Sequence, residues 1–338
     1  MKCDFPECLT AFFSKYLELH RGLSRNTIAS YSDTFLLLFA YYEEKLGRRP
    51  NKLTFDDISR ESVIEFCQWL EDTRNSSSKT RNLRLTAIHS FFRFVEMRYP
   101  SKISLCREIL SIPAKKHEKK LPIHLSDKEV KMLLAEPDIR TKQGIRDLAI
   151  MALLYDSGAR VSELTKLKMS DIQLEGTATV RIVGKGLKQR IVPISPPTAS
   201  IIKAYIKSIQ PDVVFSDRTF FTNSSEGRLT RPGINYILDK YVQKARINNP
   251  GHFNTKVTAH VMRHTKATTL LLSGVSLIYI RDFLGHSSVV TSEVYAKTNP
   301  EFLRNAIEKN ANNYGDSKRD YGVKEKEQLV EFLKAFRR

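Results

Sequence analysis

The spacing of apolar residues predicts helices over most of the first hundred positions. After Ser24, whose hydroxyl suits a helix N-cap, apolar residues recur on one helical face at Ile28, Tyr31, Phe35, Leu38 and Phe39. A short turn opened by Thr54 or Asp56 precedes a compact amphipathic helix over residues 61–70. The pattern from residue 5 to about residue 99 therefore predicts a bundle of four or five helices.

A polar break, DTRNSSSKT, precedes the last long helix of this bundle. The predicted buried face of that helix consists of Leu85, Ile88, Phe91, Phe92 and Val95. Lys79, Arg81 and Arg84 cluster near its start, among hydroxyl side chains. Basic and hydroxyl groups at a helix start suit phosphate oxygens, although a solvated helix start explains this cluster equally well.

The stretch IPAKKHEKKLP, residues 112–122, predicts the main domain boundary. It is bracketed by prolines, rich in lysine and short of apolar residues, as linkers are. We expect a helical domain over 1–111, this linker, a second domain over 123–298 and a tail over 299–338. A basic linker could cross a duplex, which makes Lys115 and Lys116 candidates for contact with DNA.

The second domain is predicted to be mostly helical with a small β-sheet. Ser126 and Glu129 have the spacing of a capping box, and helices follow to about Asp156. Apolar alternation on both sides of Gly184-Lys185-Gly186 predicts a β-hairpin. Further helices are predicted over 195–210, 232–246, 263–273 and 277–284. Residues 211–227 form an irregular stretch without an assigned role.

The net positive charge of the chain indicates a polyanionic binding partner. The 338 residues include 55 Lys and Arg against 37 Asp and Glu, a formal charge of +18. A folded protein with this charge repels itself unless it meets a polyanion, and nucleic acid is the commonest one. A basic protein with no DNA role remains the alternative on charge alone.

Cysteine usage and hydropathy predict a cytoplasmic protein. The cysteines, Cys3, Cys8, Cys67 and Cys106, include no C-x-x-C pair. The first residues, MKCDFPECLT, contain no apolar leader, and no stretch approaches the length of a membrane span. We therefore expect a reduced, intracellular chain with no membrane partner.

Six residues in separated segments carry candidate chemistry. They are Arg160 in DSGARVSEL, Lys185 in VGKGLKQR, His260 and Arg263 in AHVMRHT, and His286 and Tyr295 in LGHSSVVTSEVYAK. Each alone has a structural explanation, such as an ion pair, a solvated turn or half-buried packing. Together they contain no acidic residue, and two histidines without further ligands make a poor zinc site, so we expect no metal or other cofactor.

Such a set suits attack on a phosphodiester. Arginines can neutralise the non-bridging oxygens bidentately, and a tyrosine hydroxyl can form a covalent intermediate once its proton is removed. A lysine on a hairpin could supply the proton that the leaving 5′-oxygen needs.

The six segments, in their order, spacing and flanking residues, resemble the tyrosine recombinases, the phage-integrase and Xer-like enzymes. The resemblance extends from about Ser126 to Lys297, and GLSRNTIASY at residues 22–31 is similar to the opening of the family's core-binding domain. It implies a helical core-binding domain and a mixed α/β catalytic domain that form a C-shaped clamp around double-stranded DNA.

The resemblance also implies a role for each residue. Tyr295 would attack the scissile phosphate to give a 3′-phosphotyrosyl link, and Lys185 would protonate the leaving 5′-oxygen. His260 would help to deprotonate the tyrosine. Arg160, Arg263 and His286 would bind the phosphate, and resealing would need no ATP.

The expected function is integration or transposition of a mobile element. The alternatives are an Xer-like resolvase of chromosome or plasmid dimers and a catalytically silent DNA-binding protein of the same fold. We expect a dimer on one site, a tetramer on paired sites and a possible accessory directionality factor. In the tail, an apolar stripe at Leu329, Phe332, Leu333 and Phe336 predicts an amphipathic helix that docks on its own domain or on a neighbouring subunit.

Overall fold

The computed structural model describes residues 4–116, 123–209, 219–223, 225 and 227–285, with the main chain alone for Leu46 and Lys185. The chain divides into two compact units, Met1–Lys120 and Leu121–Arg338. This division falls inside the predicted linker, and the finer domain limits stay predictions. The tail and most of the irregular stretch 211–227 lie outside the described residues.

The first unit is helical, as predicted. Its α-helices are α1 (Phe5–Ala11), α2 (Arg25–Leu46), α3 (Arg60–Asp72), α4 (Ser78–Arg98) and α5 (Ile103–Leu110). A π-helical segment, Phe12–His20, continues from α1, two 3₁₀ turns precede α3, and one precedes α5. Helix α5 lies beyond the predicted bundle, and the apolar spacing gave no sign of the π-helical geometry.

Local capping signals were read correctly from the sequence. The Ser24 hydroxyl accepts a hydrogen bond from the Thr27 amide at 3.3 Å and opens α2. Of the two candidates for the following turn, Thr54 is the capping residue, since its amide donates to the Asp57 carboxylate at 2.9 Å.

The predicted apolar face of α4 forms the centre of the first unit. Its five predicted residues are each at most 2% exposed. The ring of Phe91 makes edge-to-face contacts with Phe5, Phe12 and Phe35 at centroid distances of 5.3–5.6 Å. Such contacts add to the stability that apolar burial provides.

The second unit combines seven helices with a small sheet among its described residues. The helices are α6 (Asp127–Ala135), α7 (Lys142–Ser157), α8 (Val161–Leu164), α9 (Pro196–Ile209), α10 (Arg231–Asn248), α11 (Ala259–Leu272) and α12 (Leu277–Leu284). The predicted capping box at Ser126 and Glu129 is confirmed. Helix α11 begins four residues earlier than predicted because the Thr258 hydroxyl caps it, accepting from the Val261 amide.

The sheet is antiparallel, with the order β1 (Ile172–Gln173), β2 (Thr179–Val183) and β3 (Gln189–Pro193). Strands β2 and β3 form the predicted hairpin, in which Ile182 pairs with Arg190. The two-residue strand β1 was not predicted. At the tip, Lys185–Leu187 forms a 3₁₀ turn, and Gly186 has a positive φ of 72°.

Helix α7 runs through the core of the second unit. Its residues 149–154 are each at most 1% exposed, because α9 and α11 pack against it on different sides. The buried helix fixes the position of the α7–α8 joint, where Arg160 lies. Among the described residues, no helix has the length and apolar character of a membrane span.

Candidate functional site

Four of the six predicted catalytic residues lie in the described part of the second unit. Arg160 lies at the α7–α8 joint, and His260 and Arg263 lie on the first turns of α11. The main chain of Lys185 lies at the tip of the β2–β3 hairpin. His286 and Tyr295 lie outside the described residues.

The α7–α8 joint holds Arg160 through a glycine turn and a buried carboxylate. Gly158 ends α7 with a φ of 57°. Arg160 is the N-cap of α8, and its amide donates to Glu163 Oε2 at 2.9 Å while its Nη1 donates to Oε1 at 2.8 Å. Its side chain is still 41% exposed, so it can contact a ligand.

Arg263 is buried, with 1% exposure, and it is held by main-chain oxygens. Its Nη1 donates to the carbonyl oxygen of Gly158 at 2.5 Å, and its Nη2 donates to that of Leu284 at 2.6 Å. A charged group in the interior requires such partners. These two bonds fix the plane of the guanidinium.

Three successive carbonyl oxygens at the end of α12 each accept from a different arginine. Arg190 Nε donates to Phe283 at 2.9 Å, Arg263 Nη2 donates to Leu284, and Arg160 Nη2 donates to Gly285 at 3.4 Å. The main chain that leads into residue 286 is therefore tied to the same arginines as the α7–α8 joint.

Glu163 links two of these arginines and was missed as a site residue. Its carboxylate is 4% exposed and also accepts from Arg190 Nη2 at 2.8 Å. Burial acts to raise the pKa of Glu163, but the hydrogen bonds from Arg190 and Arg160 bring it below its usual value. The carboxylate is therefore ionised at neutral pH. A glutamate three residues after the N-cap can accept from the N-cap amide, as in one half of a capping box, and this spacing is visible in the sequence.

Two histidines contact each other on α11. The rings of His260 and His264 meet edge to face with centroids 4.2 Å apart. Burial, and after it the nearby charges of His260 and Arg263, together lower the pKa of His264 to about 4. His264 is therefore neutral at physiological pH, while His260 is exposed on the outer side of the pair.

Arg160, His260 and Arg263 line one cleft of about 320 Å³. The cleft is completed by Arg231 and Asn235 of α10, by Thr258 and Ala259 of α11, and by Ala159, Val161 and Ser162. None of these lining residues is acidic, and the N-termini of α10 and α11 both reach the cleft. Basic side chains and helix N-termini favour a phosphate group.

Arg231 and Asn235 were not identified from the sequence. Thr230 caps α10, with its hydroxyl accepting from the Gly233 amide at 3.3 Å, so Arg231 occupies the first helical position. The segment LTRPG carries that signal, since a threonine cap followed closely by proline marks a helix start. What the segment does not show is that this helix start faces Arg160.

The predicted DNA-binding residues of the first unit differ in their surroundings. Arg81 is 8% exposed and donates to the carbonyl oxygen of Pro113, and Arg84 donates to that of Ser30. Lys115 pairs with Glu71 at 2.9 Å. Lys79 and Lys116 are exposed. Contact with DNA stays a prediction for all five candidates, and intramolecular bonds already engage Arg81, Arg84 and Lys115.

Two family models match this chain. The model described as Phage integrase family matches residues 103–301, and that of the phage integrase N-terminal SAM-like domain matches residues 11–98. The chain is 36% identical over 312 residues to a Sinorhizobium fredii protein named "Putative integrase/recombinase y4rC", covering 92% of this chain and 93% of that protein. It is 32% identical over 295 residues to tyrosine recombinase XerD of Staphylococcus epidermidis, covering 86% and 94%.

Solved structures share the fold. The XerH site-specific recombinase bound to palindromic difH substrate has a TM-score of 0.66 at 24% identity, covering 89% of this chain and 87% of that chain. The Tn1549 transposon integrase bound to transposon right end DNA has a TM-score of 0.66 at 18% identity, covering 90% and 99%. With both family models matched along most of its length, this chain belongs to the phage integrase family of tyrosine recombinases, the enzymes of site-specific DNA recombination.

Proposed function

We propose that this recombinase cuts DNA through a 3′-phosphotyrosyl intermediate formed by Tyr295, and that it moves a mobile genetic element. The observation that carries the proposal is the cleft in which Arg160, His260 and Arg263 meet without a lining carboxylate. Three separated segments of the sequence, within 159–162, 231–235 and 258–263, line this cleft and supply the basic side chains that a phosphodiester requires.

In the proposed reaction, Arg160 and Arg263 bind the non-bridging oxygens of the scissile phosphate, and His286 donates a hydrogen bond to them. Arginine suits this task because its planar donors match the geometry of phosphate oxygens. His260 takes the proton of Tyr295, whose oxygen then attacks phosphorus. The reaction needs no metal, since arginine and histidine neutralise the developing charge.

Bond breaking is completed by a proton from Lys185. The phosphorus bond to the 5′-bridging oxygen breaks as the tyrosyl bond forms, and Lys185 protonates that oxygen to leave a free 5′-hydroxyl. A second 5′-hydroxyl can then attack the phosphotyrosine and return the proton to the lysine. Since the bond energy is retained in the phosphotyrosyl link, resealing needs no ATP.

Two biological tasks fit this chemistry. Similarity to the S. fredii integrase/recombinase supports a mobile-element role, as does the fold shared with the Tn1549 integrase. Similarity to XerD supports the alternative, resolution of chromosome or plasmid dimers. A catalytically silent DNA-binding protein is the third candidate, and the complete set of six residues argues against it.

Binding and assembly complete the proposal. The exposed Lys79 and Lys116 contact the phosphates of double-stranded DNA, and the protein acts in the cytoplasm on nucleoid DNA. A dimer occupies one site, a tetramer joins paired sites, and an accessory factor sets direction. The amphipathic helix of the tail docks on a neighbouring subunit, because so short a helix must bury its apolar stripe to be stable.

The decisive experiment sequences the DNA that becomes covalently attached to the protein. The full chain is incubated with its host's fragmented genomic DNA, denatured, and purified with any attached strands. We expect strand ends at the termini of a mobile element. Ends at one chromosomal locus would support dimer resolution instead, and the absence of any denaturant-resistant adduct would refute the cleavage reaction.

A further inference from the structure

We infer that Arg190 is a positioning residue that aligns the Lys185 hairpin with the phosphate-binding arginines, so that protonation of the leaving 5′-oxygen depends on it. The inference rests on the proposed function, in which Lys185 is the general acid. Among the described residues, Arg190 is not one of those that line the cleft.

Arg190 occupies an inward-facing position of β3. It lies two residues before the buried Val192, and alternate residues of a strand share a face. The Arg190 side chain is 11% exposed, which is low for an arginine. A charge at this position requires buried partners, and the sheet itself supplies none.

The partner on α8 is the carboxylate that also holds Arg160. Arg190 Nη2 lies 2.8 Å from Glu163 Oε2, and Arg190 Nη1 lies 3.3 Å from Oε1. Arg160 donates to the same Oε1 at 2.8 Å. Arg190 therefore ties strand β3 to the side chain that orients a phosphate-binding arginine.

The base of the hairpin lies next to the Arg190–Glu163 ion pair. The Gly184 amide donates to the carbonyl oxygen of Lys188 at 2.8 Å, which closes the loop around Lys185. A Cβ at Gly184 would lie 3.4 Å from Glu163 Oε1 and 3.7 Å from Arg190 Nη1. The residue next to Lys185 thus lies beside the pair, and a side chain at this position would contact it.

A third contact joins Arg190 to α12. Its Nε donates to the carbonyl oxygen of Phe283 at 2.9 Å, and a Cβ at Gly285 would lie 2.9 Å from its Nη1. The hairpin, α8 and the end of α12 therefore meet at one guanidinium. A lysine ammonium lacks the planar fork of donors needed to hold all three.

The test compares two DNA duplexes that carry the site recovered by adduct sequencing. One has the ordinary 5′-bridging oxygen, and the other has sulfur there, whose thiolate leaves without a proton. Single-turnover adduct formation is measured on both for the wild type, Lys185→Ala, Arg190→Lys and Gly184→Val. The methyl groups of Gly184→Val extend beyond a Cβ that would already lie 3.4 Å from Glu163 Oε1, so this variant crowds the hairpin base without removing a charge. It tests the alignment of the hairpin independently if Arg190→Lys fails to fold.

The matched control is Arg146→Lys. Arg146 donates to the Asp147 carboxylate at 2.8 Å and to the carbonyl oxygen of Thr222 at 3.2 Å, and its side chain is 14% exposed. It therefore makes the same type of contacts as Arg190, with residues outside the β2–β3 hairpin, α8 and α12. Melting temperatures of all variants show how much each substitution costs in stability.

We expect Arg190→Lys and Gly184→Val to cleave the oxygen substrate about 10²-fold more slowly, the loss typical of a 1 Å misplacement. Both, like Lys185→Ala, should cleave the sulfur substrate at nearly the wild-type rate. Arg146→Lys should cleave the two substrates in the same ratio as the wild type does. Equal losses on both substrates for Arg190→Lys and Gly184→Val would overturn the inference. A wild type that forms no adduct on either duplex would refute the proposed function instead.

Discussion

Arg263 and Leu284 lie 21 residues apart in the sequence, and Arg263 Nη2 donates to the carbonyl oxygen of Leu284 over 2.6 Å. The same guanidinium donates to the carbonyl oxygen of Gly158, at the end of α7. Main-chain oxygens from two segments thus orient an arginine that is proposed to bind the phosphate. Any change that shifts α12 against α7 will move that arginine.

Gly158→Ala is expected to cause such a shift. The new Cβ would lie 2.7 Å from Leu284 Cδ2, at a backbone φ of 57° that alanine adopts poorly. The conformational cost is about 1–2 kcal/mol, and overpacking adds about 1–3 kcal/mol. Chemical denaturation measures the loss in the free energy of unfolding.

Gly176→Ala is the control for that experiment. Gly176 has a similar φ of 65° but no atom within 4 Å of its would-be Cβ, so it reports the conformational cost alone. We expect Gly158→Ala to be the more destabilising by at least about 1 kcal/mol. Equal losses in the free energy of unfolding for the two variants would mean that the Leu284 side chain moves aside without a cost.

Tyr295→Phe should abolish covalent attachment to DNA and leave DNA affinity nearly unchanged. The hydroxyl is the proposed nucleophile, whereas the ring and its packing are retained. Denaturing gels after incubation with DNA measure adduct formation, and a gel-shift assay measures affinity. A denaturant-resistant adduct formed by the variant would show that another residue is the nucleophile.

DNA binding should weaken steeply as salt rises. The chain has a formal charge of +18, and lysines and arginines that neutralise phosphates displace condensed counterions. The slope of log K against log salt should be roughly −0.9 for each phosphate neutralised, so several contacts give a large slope. A nearly flat response in titrations across salt concentrations would contradict binding to the phosphate backbone.

His264 should make the protein less stable in mild acid. Its folded-state pKa is lowered to about 4, while an unfolded histidine binds its proton near pH 6.5. The unfolded chain therefore binds more protons between these values, so stability should fall as the pH drops from about 6.5 towards 4.

His264→Gln should lose less stability than the wild type between pH 7.5 and pH 5, because glutamine does not titrate. Melting temperatures across this range measure the difference. His124→Gln, at an exposed histidine, is the control and should follow the wild type. If the melting temperatures of His264→Gln and the wild type fall by the same amount over this pH range, the lowered pKa of His264 does not affect the stability of the protein.

Truncation after Tyr314 should separate binding from assembly. The removed residues carry the apolar stripe expected to dock on a neighbouring subunit, and they lie outside the described residues. The shortened protein should fold and bind one site but fail to form the paired-site complex. Normal assembly and recombination by the shortened protein in gel-shift and recombination assays would exclude the tail as the intersubunit connector.

Features set by neighbouring residues were predictable from the sequence. The caps at Ser24 and Ser126 and the β2–β3 hairpin each depend on residues a few positions apart. The end of α7 is local in the same way, because Gly158 readily adopts the positive φ at which the helix stops.

Features set by distant contacts were not predictable. Arg190 meets Phe283 across 93 positions, and nothing in the β3 pattern indicates a buried ion pair. The apolar spacing of α4 likewise did not show that Arg81, near its start, is buried. A basic residue on a helix has no sequence mark that separates a phosphate ligand from a packing group.

The end of α12 also affects the charge balance of the site. A helix C-terminus carries roughly half a negative charge, and here its oxygens face the cationic side chains of Arg160, Arg190 and Arg263. With the full charge of Glu163, it offsets much of the repulsion among the three arginines before DNA binds. In the proposed reaction, the net positive charge that remains attracts the phosphate, and the arginines are already in place when it arrives. The folded protein therefore already offsets the repulsion among the three arginines, so the free energy of DNA binding does not have to supply that cost.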